Sequence, residues 1–224
     1  LCNQVKEYID KDWGSFGTND SKAMELLLLQ RNAIIGYERE VNYFKEKIRE
    51  FLNLYNINGS WFPHWYKDLV TSIFHENWGI AGIEEWRHMK NSSSAKIIGE
   101  KIFFLENGKQ VLKEQRISLD RLYQLKKALL LKTPEKRLDE EYLEVYMLDG
   151  TRITIFDTPL VKETTIIFRK YILDNYTFEE IADKGTIPFE IIPLLKAMVR
   201  IGFNVNFTGA VRTGKTTFLE AYQS

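Results

Sequence analysis

Near its C-terminal end the chain reads Phe207-Thr208-Gly209-Ala210-Val211-Arg212-Thr213-Gly214-Lys215-Thr216-Thr217. This stretch has the pattern G-x-x-x-x-G-K-T, and the apolar run from Ile201 to Phe207 before it is typical of a short buried strand. Glycines at both ends let the backbone turn its N–H groups inward around an anion, where a Cβ atom would obstruct the tight points. The pattern therefore predicts a strand, a phosphate-binding loop and a helix, in that order.

Each part of the loop has an expected chemical role. Lys215 is expected to contact the β- and γ-phosphates of ATP, and Thr216 to give its hydroxyl group to Mg²⁺. The helix that begins at Gly214 directs the positive end of its dipole at the same negative charge. We therefore expect ATP and Mg²⁺ as cofactors. The predicted ATP-binding residues are Gly209, Thr213, Gly214, Lys215, Thr216 and Thr217.

Composition limits the classes of protein to which the chain can belong. With 224 residues, 44% of them hydrophobic, it can bury the core of one large domain or two smaller ones. Lys plus Arg and Asp plus Glu number 31 each, so no global field draws the protein to nucleic acid, and we expect no nucleic-acid partner. The single cysteine, Cys2, excludes an internal disulfide and fits a reducing compartment.

The N-terminal part, residues 1–92, is predicted to be helical. Apolar residues recur seven apart over 22–56, which predicts one long heptad helix that either packs within a bundle or pairs with another chain. A second helix is expected from Pro63 to about Glu76. The three histidines of this part have no metal-binding spacing, so we assign them no catalytic role; they are His64, His75 and His88.

The pattern changes to short apolar runs after Asn91. Asn107-Gly108 and Asp149-Gly150 each separate two strand-like runs, which predicts two β-hairpins. An amphipathic helix is expected between them, over Ser118 to Leu131. Residues 93–172 are therefore predicted to form a small α+β domain.

Several motifs ahead of the loop, in their order and spacing, resemble those of the motor ATPases of type II and type IV secretion and of type IV pili. The resemblance covers about 75–224 and is closest to the CpaF-like branch that serves tight-adherence (Tad) pili. The motifs are Trp78-Gly79-Ile80-Ala81-Gly82-Ile83-Glu84, Ile98-Gly99-Glu100-Lys101-Ile102-Phe103, Arg137-Leu138-Asp139-Glu140, Leu148-Asp149-Gly150-Thr151-Arg152-Ile153, Ile167-Phe168-Arg169-Lys170-Tyr171 and Phe178-Glu179-Glu180-Ile181.

This resemblance implies an α+β N-terminal region, made of a helical bundle and a small PAS-like domain, before the start of an α/β RecA-like P-loop ATPase domain. The expected parts are the helical region 1–92, the α+β domain 93–172, a linker over 173–185 and the RecA-like start at 186–224. It also implies a cytoplasmic homo-hexamer, held at the membrane through an inner-membrane platform protein. ATP hydrolysis by such a hexamer powers pilus assembly or protein secretion.

Arginines of the N-terminal domain contact the terminal phosphate in this family, and the resemblance places them at Arg137, Arg152 and Arg169. A planar guanidinium group can bind phosphate oxygens through two hydrogen bonds and neutralise charge during phosphoryl transfer. The alternative is that Arg137 and Arg152 form surface ion pairs with the neighbouring Asp139 and Asp149.

The chain departs from the family pattern in two places. Arg212 stands where the family loop commonly has glycine, and only seven residues follow Thr217, without the acidic residue that holds Mg²⁺. We therefore expect a fragment truncated just after the Walker A motif that does not hydrolyse ATP alone. Another hypothesis is an interaction or oligomerisation module that docks a secretion or pilus platform without its own catalysis. An unrelated P-loop kinase or GTPase fits less well, because about two hundred residues precede the loop.

Overall fold

A computed structural model describes residues 1–14, 20–59, 61–130, 142–170, 176–210 and 213–223. The chain divides into two compact units, the first unit Leu1–Tyr171 and the second unit Ile172–Ser224. Within the described ranges, no helix combines the length and apolar character needed to cross a membrane.

The first unit begins with helices that pack on one another through a core of aromatic and aliphatic side chains. Phe44 stacks on Trp78 with 4.8 Å between the ring centroids, and both side chains are buried. Ile48 and Ile73 complete the centre of this cluster. The helices are α1 (Cys2–Gly14), α2 (Asp20–Ile35), α3 (Glu38–Leu54), α4 (Leu69–Asn77) and α5 (Glu84–His88), with a 3₁₀ turn at Ala81–Ile83 before α5.

The single helix predicted over 22–56 is wrong, because α2 and α3 are separate. Gly36 adopts a φ of +108°, which favours glycine, and ends α2. Its N–H donates to Ala33 O at 3.2 Å, and the N–H of Tyr37 donates to Asn32 O at 3.0 Å. These two bonds form the Schellman motif that caps helices ending in glycine. Tyr37 is consequently exposed at the break rather than part of a continuous apolar stripe.

A six-stranded antiparallel sheet forms the rest of the first unit, with strand order β3-β2-β1-β6-β5-β4. Both predicted hairpins are confirmed, as β2–β3 and β4–β5. Asn107 and Gly108 both have positive φ, as the tight turn between β2 and β3 requires. The strands are β1 (Ser94–Ile98), β2 (Lys101–Glu106), β3 (Lys109–Arg116), β4 (Tyr142–Tyr146), β5 (Arg152–Phe156) and β6 (Thr165–Arg169).

One face of this sheet is covered by α6 (Leu119–Leu130), which confirms the amphipathic helix predicted there. Ser118 caps it, because its Oγ accepts a hydrogen bond from the N–H of Arg121 at 3.2 Å. Leu125 of α6 is buried with Phe104 and Phe168 of the sheet. The result is a second, larger core on this side of the sheet.

Two cations join the helical part to the sheet part of the first unit, the buried Arg121 and the partly buried Lys170. Arg121 of α6 donates to Glu76 O at 2.7 Å and also to Gly79 O, so it satisfies carbonyls at the end of α4. Burial lowers the pKa of Arg121 to about 10. Lys170 donates to Trp86 O at 2.9 Å and to Met89 O at 2.5 Å, at the end of α5. The two parts therefore share hydrogen bonds that hold them together.

The second unit is a small helical cluster. Its helices are α7 (Phe178–Asp183), α8 (Ile192–Arg200) and α9 (Lys215–Gln223), with a 3₁₀ turn at Phe189–Ile191. Phe178, Ile181 and Ala221 are buried in its core. The segment 173–185, expected to be a linker, thus includes α7, whose side chains belong to this core.

Candidate functional site

The segment that leads into the loop is not the buried strand predicted from the sequence. Residues 203–208 have no regular secondary structure, and Ile201 and Phe203 are 72% and 57% exposed. A strand is stabilised by hydrogen bonds to a neighbouring strand, and the described part of the second unit contains none. The apolar side chains of this run therefore lack a sheet in which to pack.

Aromatic contacts hold the end of this segment against α9. The ring of Phe207 lies 5.2 Å from the ring of Phe218 and 5.6 Å from that of Tyr222, measured between centroids. The Tyr222 hydroxyl donates to Phe203 O at 3.3 Å. Phe178 of α7 also contacts both Phe218 and Tyr222. The loop after Phe207 consequently starts from a fixed position beside the first turns of α9.

The two described ends of the loop lie close together, because Thr213 and Lys215 contact Gly209 and Ala210. Gly209 has a φ of +155° and Gly214 a φ of +79°. Thr213 Oγ1 donates to Ala210 O at 2.8 Å. A Cβ atom at Gly209 would lie 3.0 Å from this same Thr213 Oγ1, closer than ordinary contact allows. This close approach and the positive φ both favour glycine at position 209.

Lys215 lies at the start of α9 and points into the bend. Its Nζ donates to Gly209 O at 2.9 Å and to Ala210 O at 2.5 Å. The N–H of Phe218 donates to Gly214 O at 2.9 Å, so the N–H groups of the preceding helical residues have no acceptor within the helix. An ammonium group and the positive end of a helix dipole thus meet at the same loop, an arrangement suited to an anion.

A cavity of about 590 Å³ opens over this loop. This volume lies in the range of small-molecule sites, about 300–1,000 Å³. Lys184 and Lys215 both line it, and none of its described lining residues is an aspartate or a glutamate. The cavity is therefore positively charged. Its lining residues are Tyr176, Ile181, Lys184, Thr186, Asn206, Phe207, Thr208, Gly209, Thr213, Gly214, Lys215, Thr217 and Phe218.

Most of the residues predicted to bind ATP lie together in this cavity. Its lining includes five of the six predicted positions, namely Gly209, Thr213, Gly214, Lys215 and Thr217. Thr216, predicted to bind Mg²⁺, is exposed on the first turn of α9 and is not among the lining residues. Arg212 lies outside the described residues.

The predicted phosphate-binding arginines belong to the first unit. Arg152 of β5 and Arg169 of β6 are directly opposite each other in the strand register, so their side chains share one face of the sheet. Arg152 Nε is 3.3 Å from Glu144 Oε2, without the alignment of a hydrogen bond. Asp149, expected as the partner of Arg152, instead pairs with Arg87 at 2.8 Å. Arg137 lies outside the described residues.

Sequence reasoning missed the wall of the cavity formed by α7 and its flanks. Tyr176, Lys184 and Thr186 line the cavity, although they fall in or next to the segment expected to be a linker. A signal for this wall is present in the sequence. Thr177 and Glu180 form a capping box, and the residue directly before such a cap commonly packs back onto the helix.

It also missed the contacts of Glu84 with a buried histidine, His75, and an exposed one, His88, because the two histidines are far apart in sequence. His75 Nε2 lies 3.6 Å from Glu84 Oε1, and His88 Nε2 lies 3.1 Å from the same oxygen. Burial lowers the pKa of His75 to about 4, against an opposing effect of the Glu84 charge. His88 and Glu84 are four residues apart on α5, so only the position of His75 depends on tertiary packing.

No protein-family model matches the chain, and neither does any curated protein sequence. The solved structures that are similar to parts of it include two ATPases. The VirB11 ATPase from the Brucella suis type IV secretion system, in complex with sulphate, has 15% identity and a TM-score of 0.39 over 62% of this chain and 50% of that chain. The Legionella pneumophila ATPase DotB has 19% identity and a TM-score of 0.38 over 63% of this chain and 39% of that chain. The chain thus spans half or less of the length of either structure.

Proposed function

We propose that the loop Gly209–Thr217 binds ATP with Mg²⁺, and that the chain is the nucleotide-binding part of a motor ATPase that powers pilus assembly or protein secretion. The observation that carries ATP binding is the position of Lys215 Nζ, inside a glycine-bounded bend at the start of α9 and on the wall of a cationic cavity. The resemblance of the sequence motifs supplies the class of motor.

The chemistry of binding follows from the atoms of the loop. Phosphate oxygens compete for the Lys215 ammonium group with Gly209 O and Ala210 O, which are neutral and therefore weaker acceptors. The N–H groups at the start of α9 contribute further donors. The proposal keeps Thr216 as the residue that gives its hydroxyl to Mg²⁺, which neutralises charge between the phosphates when bound.

Arg152 and Arg169 remain proposed ligands of the terminal phosphate, on the strength of the sequence resemblance. Their register supports an anion-binding role, because like charges directly opposite each other on adjacent strands destabilise a sheet unless an anion compensates them. Glu144 compensates part of this charge, since it lies next to Arg152. Arg169→Ala is expected to lower ATP turnover by the intact motor while ATP binding by this chain persists.

The remaining parts of the proposal concern the intact protein. We propose a cytoplasmic homo-hexamer that is peripheral to the membrane through an inner-membrane platform protein. In this proposal the second unit is the start of a RecA-like domain, and the first unit combines a helical bundle with a PAS-like domain. Binding of ATP is assigned to this chain, and hydrolysis to the intact motor.

The deciding experiment measures ATP binding to the 224-residue chain by isothermal titration calorimetry in the presence of Mg²⁺. Lys215→Ala is expected to weaken binding at least about tenfold, because hydrogen bonds to a charged group contribute about 1.5–3 kcal/mol each. Lys196→Ala is the matched control, since Lys196 pairs with Glu179 and does not line this cavity. Equal affinities of the two variants would contradict the proposal.

A second candidate is the interaction module, and exposed large apolar side chains at and after the end of α3 favour it. Leu54, Tyr55 and Trp61 are 62%, 58% and 84% exposed, although large apolar side chains usually avoid water. The double variant Leu54→Ser with Trp61→Ser is expected to abolish self-association or capture of a solubilised platform protein. Leu160→Ser, also at an exposed position, is the control. Unchanged association in light scattering and unchanged capture would rule this candidate out.

A further inference from the structure

The cavity is larger than the phosphate loop alone requires, and its remaining wall has a different character. Gly209, Thr213 and Gly214 form the part of the lining nearest Lys215, which supplies one of the two ammonium groups. Tyr176, Ile181, Phe207 and Phe218 add apolar surface to the same cavity. A phosphate group gains nothing from contact with an apolar surface, whereas the flat, apolar face of a nucleobase packs on it favourably.

Tyr176 is held in place by the cap of α7. Thr177 Oγ1 accepts a hydrogen bond from the N–H of Glu180 at 3.2 Å, and Glu180 Oε2 accepts one from the N–H of Thr177 at 2.8 Å. Tyr176 directly precedes this cap and packs against the cluster that contains Ile181, so the two occupy the positions of a hydrophobic staple. The backbone at Tyr176 is therefore fixed.

The Tyr176 side chain is partly exposed and lines the cavity. Lys184 Nζ lies 3.5 Å from the ring centroid, a cation–π contact made by an exposed lysine at the end of α7. A planar base can take the same face, because stacking and the cation–π contact both use the π-electrons of the ring. The displaced ammonium group remains beside the cavity, where triphosphate charge attracts it.

We propose that Tyr176 is the base-stacking platform of this cavity, and that Lys184 exchanges its contact with the ring for a contact with the phosphates when a nucleoside triphosphate binds. This assignment rests on the proposed function, because it requires nucleotide at the Gly209–Thr217 loop. It names the ligand class as an aromatic base joined to a polyphosphate. Tyr176 acts as a positioning and affinity residue and has no part in phosphate chemistry.

The test compares ATP with inorganic tripolyphosphate, which has no base, on the full 224-residue chain. Tyr176→Leu keeps an apolar side chain but removes the ring, and it is expected to weaken ATP binding about tenfold, within the range for loss of one aromatic stacking partner. Its affinity for tripolyphosphate should stay that of the wild type. Tyr176→Phe keeps the ring and should bind both ligands as the wild type does. Lys215→Ala should weaken both.

The two proposals fail in different ways. If the wild type binds neither ATP nor tripolyphosphate, the proposed function is wrong, and so is the assignment of Tyr176 as a base-stacking platform. If the wild type binds both ligands but Tyr176→Leu changes neither affinity, or lowers both by the same factor, the platform alone is wrong. Thermal unfolding of Tyr176→Leu, monitored by circular dichroism, identifies an equal loss that stems from disrupted packing, and that result also counts against the platform.

Discussion

Gly209→Ala tests the loop geometry without removing any of its polar groups. Gly209 has a φ of +155°, and a Cβ atom there would come within 3.0 Å of Thr213 Oγ1 and 3.9 Å of Lys215 Cδ. The variant must therefore shift Thr213 or change the backbone at position 209. Either change alters the bend into which Lys215 Nζ projects, although the ammonium group itself remains.

The size of the effect follows from the cost of a strained backbone. A residue other than glycine in a sparsely populated backbone region costs about 1–3 kcal/mol. In a loop exposed to solvent the free chain can relax to avoid this cost, whereas a loop closed on phosphates must bear it. We therefore expect Gly209→Ala to weaken ATP binding about 10- to 100-fold, since about 1.4 kcal/mol corresponds to a factor of ten.

Gly202→Ala is the matched control. Gly202 also has a positive φ, +67°, but a Cβ atom there would meet no atom within 4 Å, and the residue does not line the cavity. It should lower the free energy of unfolding by about 1–2 kcal/mol, the cost of a left-handed backbone, and leave ATP affinity unchanged. Calorimetric titration of both variants decides the matter. An unchanged affinity in Gly209→Ala, or equal losses in the two variants, would refute the proposed loop geometry.

Two further predictions concern a metal ligand and a buried histidine. Thr216→Ala should weaken ATP binding about tenfold in the presence of Mg²⁺ and not at all in the presence of EDTA. Thr217→Ala, which changes the cavity wall, should weaken binding under both conditions. Calorimetric titrations measure both variants, and an effect of Thr216→Ala that does not depend on Mg²⁺ would contradict its role as a metal ligand. The pKa of His75 is about 4 in the folded chain, against 6.5 for an ordinary histidine, so between these pH values the unfolded chain binds more protons than the folded chain. The free energy of unfolding should therefore fall by about 2 kcal/mol from pH 6.5 to pH 5. The charge of Glu84 opposes this low pKa, whereas the charge of Lys45 lowers the pKa further. His75→Gln should reduce the loss in urea titrations; an equal loss in the variant would show that His75 stays accessible to protons.

Features of the first unit that depend on neighbouring residues could be predicted from the sequence. The hairpin turn at Asn107-Gly108 requires positive φ at both positions, and these two residue types supply it wherever they occur between strands. The helix after Ser118 likewise carries its own cap. The break at Gly36 was missed because apolar residues continue at heptad spacing on both sides of it. This spacing is the same whether one helix continues or a second helix begins in a new direction.

Features that join distant residues could not be predicted in this way. β1 lies between β2 and β6, and the register of β1 with β6 pairs Lys96 with Ile167, a choice that no local pattern specifies. The approach of His75 to Glu84 depends in the same way on how α4 packs against α5. The cap of α7 is a local signal that Tyr176 packs back onto the helix. That Tyr176 also lines a cavity depends on the loop that lies beside it, which no local pattern specifies.

In the second unit, one motif contains both a feature that depends on neighbouring residues and a feature that depends on distant ones. The strand predicted over Ile201–Phe207 does not form, because a strand needs hydrogen-bond partners from another segment. In contrast, α9 satisfies its own backbone and begins at Lys215, one residue after the predicted start. The bend between Gly209 and Gly214 depends on backbone freedom, on Thr213 and on Lys215, all of which are local. The proposed anion-binding geometry therefore does not depend on a paired strand. For this reason we expect Gly209→Ala to reduce ATP affinity more than a substitution in the apolar run before the loop does.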